Sequence, residues 1–373
     1  MITFGVLSTV PPARCGIATF SEALVRHLND DRSRSSAELV PIASHAPAAA
    51  LNRCDVAVVQ HEYGIYDGPD GEAVLDVLQR IRVPIVVVLH TVLTTPTIWQ
   101  RTLLSRMCHL ADAVVVLSQT AATRLIDGYG VDGHRVTVIP HGAEAGNASR
   151  RVDNPSHPLL LTWGLLGPGK GIEWVIDALA EVGDLPNVPR YLVAGQTHPR
   201  VLARQGEAYR DSLRERAAAR GVAHLVEFDA AYRSRRDLAA LVASADTVVL
   251  PYDSSEQVAS GVLTEAVAAR RPIIATRFPH AAELLADGAG LLVPHADSRA
   301  VGVAIRRVLT EPGLAESMRW RAAQIAPTLD WAAVADRYRL LGTRLTSARA
   351  RRLEQPGPAG HGRPRIGRRT TVG

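Results

Sequence analysis

Residues 162–174 read TWGLLGPGKGIEW, and the apolar Leu159, Leu160 and Leu161 before them and the helix-patterned residues after them make a strand, a glycine loop and a helix. Lys170 closes the loop. Of the 42 Lys and Arg side chains 41 are Arg, so Lys170 is the only lysine in the chain. The one exception falls where backbone N–H groups and a helix N-terminus already favour an anion. A compact ammonium fits a tight phosphate pocket that a broad guanidinium fork does not. The stretch predicts a phosphate site, against the alternative of a solvated lysine on a tight turn. Gly164-x4-Gly169-Lys170 follows a P-loop for seven positions, but Gly171 stands where the magnesium-holding Ser or Thr would be, and Pro168 removes an amide from the cradle. An NTPase is set aside on those grounds.

The strand–loop–helix unit recurs on both sides. Before it, apolar runs alternate with helical patterns at 2–7 and 17–28, 55–60 and 71–80, 84–90 and 97–110, and 112–117 and 119–127, ending in a run at 136–139. After it, apolar runs recur at 191–195, 224–228, 247–251, 272–276 and 291–294. Such alternation predicts an α/β protein with parallel, doubly wound sheets, and a chain of 373 residues predicts two of them. The expected division is a first Rossmann-like domain over 1–145, a linker over 146–157 within GNASRRVDNPSHP, a second Rossmann-like domain over 158–328, a helix over 329–346 and a disordered tail over 347–373. Trp331, Val334, Tyr338 and Leu341 form one stripe of that late helix. The stripe comes too late for the second sheet and is expected to return to the first domain.

Charge is concentrated at one end. Ser347 to Gly373 holds seven Arg and one Glu, a net +6 against +5 for the whole chain, so the remainder sums to about −1. A Pro, Gly and Arg-rich tail buries no core and reads as solvated, with no nucleic-acid partner implied. Cys15, Cys54 and Cys108 are odd in number and share no metal-like spacing, which points to a reducing compartment. No apolar stretch reaches the length of a membrane span, so a cytoplasmic protein is expected. The 97–110 helix, with Arg101, Arg106 and His109, leaves peripheral contact with a membrane face open. Asp67, Asp70 and Glu72 read as an N-terminal helix cap, and no metal site is expected.

Ligands bind outside the carboxyl ends of strands in such sheets. In the first domain those ends carry His61, Glu62 and Tyr63; His90 and Thr91; His141; and the loop PPARCG, which leads to Gly16. Three histidines on one rim favour a site over three structural histidines. In the second domain Gln196, Thr197 and His198 follow a strand, and the polar loop Ser-Ser-Glu-Gln leads to a helix beginning near Ser260. Glu265, one turn into that helix, suits hydroxyls such as those of a ribose.

These features together, with GPGKGIE (167–173) and EQVASGVLTEAVAARRP (256–272) as the most specific, resemble the retaining nucleotide-sugar glycosyltransferases of family 4 over roughly residues 1–345. The resemblance implies the GT-B architecture, two Rossmann-like domains around a cleft, with the donor nucleotide on the second and the acceptor on the first. It implies that Lys170 neutralises the donor diphosphate, that Gly16 lets backbone approach the donor, that the amides near Ser260, Gly261 and Val262 hold the diphosphate, that Glu265 binds the ribose, and that His90 lies beside the transferred sugar. Gly167 and Gln196 join the donor side; His61, Glu62, Tyr63 and His141 are the acceptor-side candidates. Two positions depart from the family. Leu165 replaces a basic residue, for which Arg14 or Arg200 could substitute, and Gln257 replaces a glutamate, with Glu256 next to it as the alternative. His90, Lys170, Glu256 and Gln257 are accordingly the catalytic candidates. The implied activity is metal-independent transfer of a hexose from UDP- or GDP-hexose, with no further cofactor, to a hydroxyl of a glycan, lipid or small molecule. An epimerase or phosphorylase of the same architecture is one alternative; a non-catalytic sugar-nucleotide sensor, suggested by Leu165 and Gln257, is the other.

Overall fold

Continuous β-branched runs such as VAVVQH (56–61), IVVVL (85–89) and AVVV (113–116) suit strands buried on both faces, and all three are buried along their whole length. A computed structural model describes residues 1–11, 15–30, 34–144 and 157–354. Arg14, nearly all of the expected linker, and the tail from residue 355 onward lie outside the described residues.

The first sheet holds β1 (Ile2–Ser8), β2 (Ser35–Pro41), β3 (Val56–His61), β4 (Ile85–Leu89), β5 (Ala113–Val116) and β6 (Val136–Val138) in the order β2-β1-β3-β4-β5-β6. The second holds β7 (Leu159–Trp163), β8 (Arg190–Ala194), β9 (Val226–Asp229), β10 (Thr247–Leu250), β11 (Ile273–Thr276) and β12 (Gly290–Val293) in the order β12-β11-β10-β7-β8-β9. All neighbouring strands are parallel. The helices of the first half are α1 (Gly16–Leu28), α2 (Pro47–Leu51), α3 (Val74–Arg80), α4 (Ile98–Leu110) and α5 (Gln119–Thr123). Those of the second are α6 (Ile172–Glu181), α7 (Pro199–Gln205), α8 (Ala208–Ala219), α9 (Arg235–Ser244), α10 (Gly261–Ala268), α11 (Pro279–Leu284), α12 (Ser298–Thr310), α13 (Leu314–Leu329) and α14 (Trp331–Glu354). Strand order reverses at β1 in one sheet and at β7 in the other. The loops after those two strands therefore sit at the switch points where ligands bind.

Odd residues of β3, Ala57 and Val59, enter the apolar layer beneath α3 and α4, while Val56 and Val58 face α1 and α14. Trp331, Val334, Tyr338 and Leu341 join Phe4, Val6, Phe20 and Leu24, so the late helix does return to the first sheet. The chain crosses back at Asp330: Ala143 N donates to Leu329 O at 2.7 Å and Trp331 N donates to Ala143 O at 3.2 Å.

Three expectations need correction. Sequence alternation omitted β2 and α2, because SSAELVP is a polar, largely half-exposed edge strand without an apolar run. Residues 347–354 are helical rather than part of a disordered tail, since α14 runs on to Glu354 through Ala and Arg, both strong helix formers. Asp67, Asp70 and Glu72 do not cap α3, whose N-cap is Ala73; Asp70 instead accepts from Gln100 Nε2 at 3.0 Å. Among the described residues no helix is long and apolar enough to cross a membrane.

Candidate active site at the cleft

The loop after β7 can close only because two of its contacts are made by glycine. Gly171 has φ +65° and a Cβ there would run into the Pro251 carbonyl; Gly195, after β8, has φ +142° and a Cβ would run into the Gly164 carbonyl. Leu166 N donates to Gln196 O and His198 N donates to Leu166 O, both at 2.8 Å, and Asp253 N donates to Gly169 O at 3.0 Å. The loops after β7, β8 and β10 are thereby tied into one surface.

Lys170 is half-buried on that surface, its ammonium 4.4 Å from the centroid of the Tyr252 ring. Burial lowers its pKa, and among the described residues no carboxylate pairs with it. A partly desolvated cation held only by a ring face leaves room for an anion. Burial, with the nearby charges of Arg200 and Lys170, lowers the pKa of His198, which places both cations close to it.

The N-terminus of α10 adjoins the loop: a Cβ on Gly164 would touch Val262 Cγ2 at 3.6 Å. Ser260 is the N-cap, accepting from Leu263 N at 3.2 Å, and its own amide donates to His280 Nδ1 at 2.9 Å. The amides of Gly261 and Val262 have no acceptor among the described residues. Such free N–H groups at a helix start attract anions. Further along α10, Glu265 accepts from Trp163 Nε1 at 3.1 Å, and burial, with a smaller contribution from Glu144, pushes its pKa up to about 7. The folded state thus binds a proton that the unfolded chain releases near the ordinary value of 4.5. Stability conferred by that proton is present below 4.5 and is lost as pH rises to about 7. Wild type should therefore lose stability over this window relative to Glu265→Gln, as read by thermal melts against pH; parallel curves would contradict it.

Across the cleft, His90 Nε2 is bonded to Gln60 Oε1 at 2.8 Å, and its ring meets Phe20 edge-on at 5.0 Å. Burial, with the nearby His141 and His61, lowers its pKa to about 3. His141 donates from Nδ1 to Gly142 O at 2.6 Å, packs on Phe20 and Trp331, and stays neutral with a pKa of about 4 through burial. Its Nε2 therefore carries the lone pair, and it lies 2.9 Å from where a Cβ on Gly261 would sit. His141 and α10 meet across the cleft.

His61 does not join them at the surface. As an odd residue of β3 it turns into the layer beneath α3 and α4, fully buried under Tyr63 at a ring separation of 5.2 Å, with neither ring nitrogen bonded among the described residues. Glu62 accepts from Thr91 Oγ1 at 2.6 Å and from Tyr63 N at 2.8 Å, and burial raises its pKa. Gly16 is the first residue of α1, with open space beside its Cα, and a Cβ on Gly167 would touch Val201. Glu256 points at the first domain, accepting from Thr94 N at 2.8 Å, from the Thr94 hydroxyl, and from Arg124 Nη1 at 3.1 Å. Gln257 donates from Nε2 to Ala259 O at 3.2 Å, and its carbonyl accepts from His280 N at 3.2 Å. Arg200 crosses the cleft to Gly64 O at 2.6 Å. Gln60, Arg124, Tyr252 and His280 escaped the sequence reading, because no motif or spacing marks a residue whose partners lie far away in the chain.

Residues 157–311 match a sequence profile described as glycosyl transferases group 1, and residues 21–146 match one described as Glycosyltransferase Family 4. The chain belongs to the family 4 glycosyltransferases. Among curated relatives of this family 4 chain, a D-inositol 3-phosphate glycosyltransferase of Kineococcus radiotolerans is 29% identical over 251 residues, 61% of this chain and 55% of that protein. The alpha-D-kanosaminyltransferase of Streptomyces kanamyceticus is 28% identical over 184 residues, 49% of this chain and 44% of that one. The matched region thus spans about half the length of these relatives. HepE of Anabaena, solved in complex with UDP, superposes with a TM-score of 0.72 at 18% identity, covering 92% of this chain and all of that one. The family 4 chain therefore has the GT-B fold.

Proposed function

We propose that this chain moves a hexose from a nucleotide diphosphate sugar to a hydroxyl acceptor, with retention of the anomeric configuration and without a divalent metal. The observation that carries the reading is the Lys170 ammonium on the Tyr252 ring, with no carboxylate paired to it among the described residues, on the same tied loops as the α10 amides of Gly261 and Val262, which have no acceptor among the described residues. HepE, crystallised with UDP and with UDP-glucose, makes UDP-hexose the first donor to try and GDP-hexose the second.

In this reading Lys170 and the amides of Gly261 and Val262 hold the diphosphate, with Gly16 and Gly167 allowing close approach. Glu265 accepts from the ribose hydroxyls and Gln196 borders the base. His90 and Gln257 flank the hexose; with Glu256 engaged by Thr94 and Arg124, the neutral Gln257 is the better candidate for bonding its hydroxyls. Arg200, close enough to act on His198 together with Lys170, supplies the cation that Leu165 lacks. Glu62, Tyr63 and His141 border the acceptor, and His61 supports Tyr63 from beneath. The bond from the anomeric carbon to the diphosphate breaks, the acceptor oxygen bonds to that carbon from the same face, and the acceptor proton passes to a diphosphate oxygen. Leaving-group stabilisation and positioning do most of the work, which suits a rim whose histidines are neutral.

Incubation with UDP-glucose, UDP-N-acetylglucosamine or GDP-mannose and a panel of polyols and sugars, followed by proton NMR, tests it. A new glycoside with the donor's anomeric configuration is expected; inversion, or nucleotide binding without transfer or donor hydrolysis, contradicts it.

We further propose that α4 docks on an anionic lipid surface at the inner membrane face. Ile98 and Trp99 are 83% and 74% exposed at its start, its outer face carries Arg101, Arg106 and His109, and it contains no acid. Flotation with phosphatidylglycerol vesicles should capture wild type and several-fold less Trp99→Ala; equal capture contradicts the docking.

A further inference from the structure

Helix α5 of the first domain and the turn that follows it are gripped by two carboxylates of the second, Glu283 on the helix and Glu256 on the turn. Its first two amides, Gln119 N and Thr120 N, donate to Glu283 of α11 at 2.7 and 2.8 Å, and the Thr120 hydroxyl donates to the same group at 2.7 Å. The next amide, Ala121 N, is taken by its own N-cap Ser118, so a helix start that would otherwise need water is completed from across the cleft. Just past α5 the chain enters a π turn that opens with Arg124. Arg124 Nη1 reaches Glu256 Oε2 and Glu256 O, each at 3.1 Å, and Nη2 reaches Ser255 O at 3.2 Å. Nη1 also donates to Val92 O at 3.1 Å, which fixes the guanidinium to its own domain. Two residues beyond Glu256, Val258 is 2% exposed within the first domain's apolar layer, among Leu7, Val59 and Leu89.

The segment gripped in this way is the one that leads into α10. Residues 256 and 258 are held by the first domain, while Gln257 between them is bonded to Ala259 and His280 of its own. We propose that Glu256 and Glu283 are positioning residues, an acidic latch on α5, the turn after it and Thr94 that closes the domains and sets Gln257 and the α10 N-terminus against the first-domain rim. Glu256 acts through Arg124 and Thr94 and does not touch the donor. Side chains at this contact are only 15% and 30% exposed for Arg124 and Glu256, so solvent screens their charge-assisted bonds little. A nucleotide that binds the closed form is weakened in proportion to the closed fraction.

The inference rests on the proposed donor site for its ligand arm only. Amide exchange at Thr94, Gln119 and Thr120 reads the latch without any ligand, and calorimetry with UDP reads its effect on the site. Replacing a charged acceptor by a neutral one should speed exchange at least about tenfold, at Thr94 in Glu256→Gln and at Gln119 and Thr120 in Glu283→Gln. Protection in β3 and β4, measured in the same samples, separates this opening from unfolding. Glu256→Gln and Arg124→Gln should each weaken UDP about three- to tenfold, and the double variant should lose less than the product of the two single losses, because the two share the Arg124–Glu256 contact. Two results overturn the proposal: a loss of UDP affinity in Glu256→Gln that Arg124→Gln does not share, or exchange at the three amides as fast in wild type as in the variants. Lys170→Ala should lose UDP yet keep all three amides protected. If wild type binds no UDP, the donor reading fails while the exchange data still decide the latch.

Discussion

Lys170→Ala is expected to lower donor turnover by about 10²- to 10³-fold, the scale seen when one preorganised group that stabilises developing charge is removed. Its affinity for UDP should fall roughly 10- to 150-fold, the equivalent of a hydrogen bond to a charged group. The apo protein should not lose stability. An ammonium half-buried against the Tyr252 ring, without a paired carboxylate among the described residues, has its pKa lowered from 10.5, so the folded state binds that proton less tightly than the unfolded chain does. Stability of wild type should consequently rise as pH climbs toward 10.5, a trend that Lys170→Ala lacks. Lys170→Arg keeps the charge, but should still lose most of the turnover because a planar guanidinium fork does not present the compact point charge that the ammonium holds 4.4 Å from the Tyr252 ring centroid. Steady-state donor hydrolysis, UDP calorimetry and thermal melts across pH check all three; near-wild-type turnover in Lys170→Ala would remove the basis of the assignment.

Trp331→Ala should cost about 3–5 kcal/mol of stability, the range for truncating a large buried aromatic side chain. The side chain is buried to 4% exposure at the start of α14, packs on Phe20 at 5.1 Å and His141 at 5.7 Å, and lies over His27 at 6.1 Å. It also fills the space beside Gly142, where a Cβ would collide with it. Losing it opens a cavity at the point where the chain crosses back between the sheets, and it removes support from His141 and, through Phe20, from His90. Turnover should fall further than the folded fraction does. Denaturant unfolding followed by fluorescence of the remaining tryptophans measures the first effect and specific activity the second; a loss under about 1 kcal/mol would mean the crossover cluster is not cooperative with the fold.

What was legible in the chain was what local sequence specifies. The β-branched runs 85–89 and 113–116, the glycine loop closed by Lys170, the Ser260 helix start and the Trp331–Val334–Tyr338–Leu341 stripe each carry their structure in neighbouring residues. Strand β2 did not, because an edge strand needs only one partner and tolerates Ser and Glu. The burial of His61 follows from which face of β3 it occupies, a register set by packing beneath α3 and α4 rather than by the motif His61-Glu62-Tyr63. Glu256 was ambiguous for a similar reason. Its partner Thr94 lies 162 positions away, and only the folded cleft brings them together. Lys170 could be read because its signal is compositional: one lysine among 41 arginines.

The central claim, that the cleft holds a nucleotide diphosphate through Lys170 and the α10 amides, is tested most directly by thermal melts of the full chain with UDP, GDP and ADP against UMP, GMP and AMP. At least one diphosphate should raise the melting temperature by several degrees at a concentration where its monophosphate does much less, because the second phosphate completes the contact with the ammonium and the free amides. No shift with any diphosphate, or equal shifts for a diphosphate and its monophosphate, would contradict the claim.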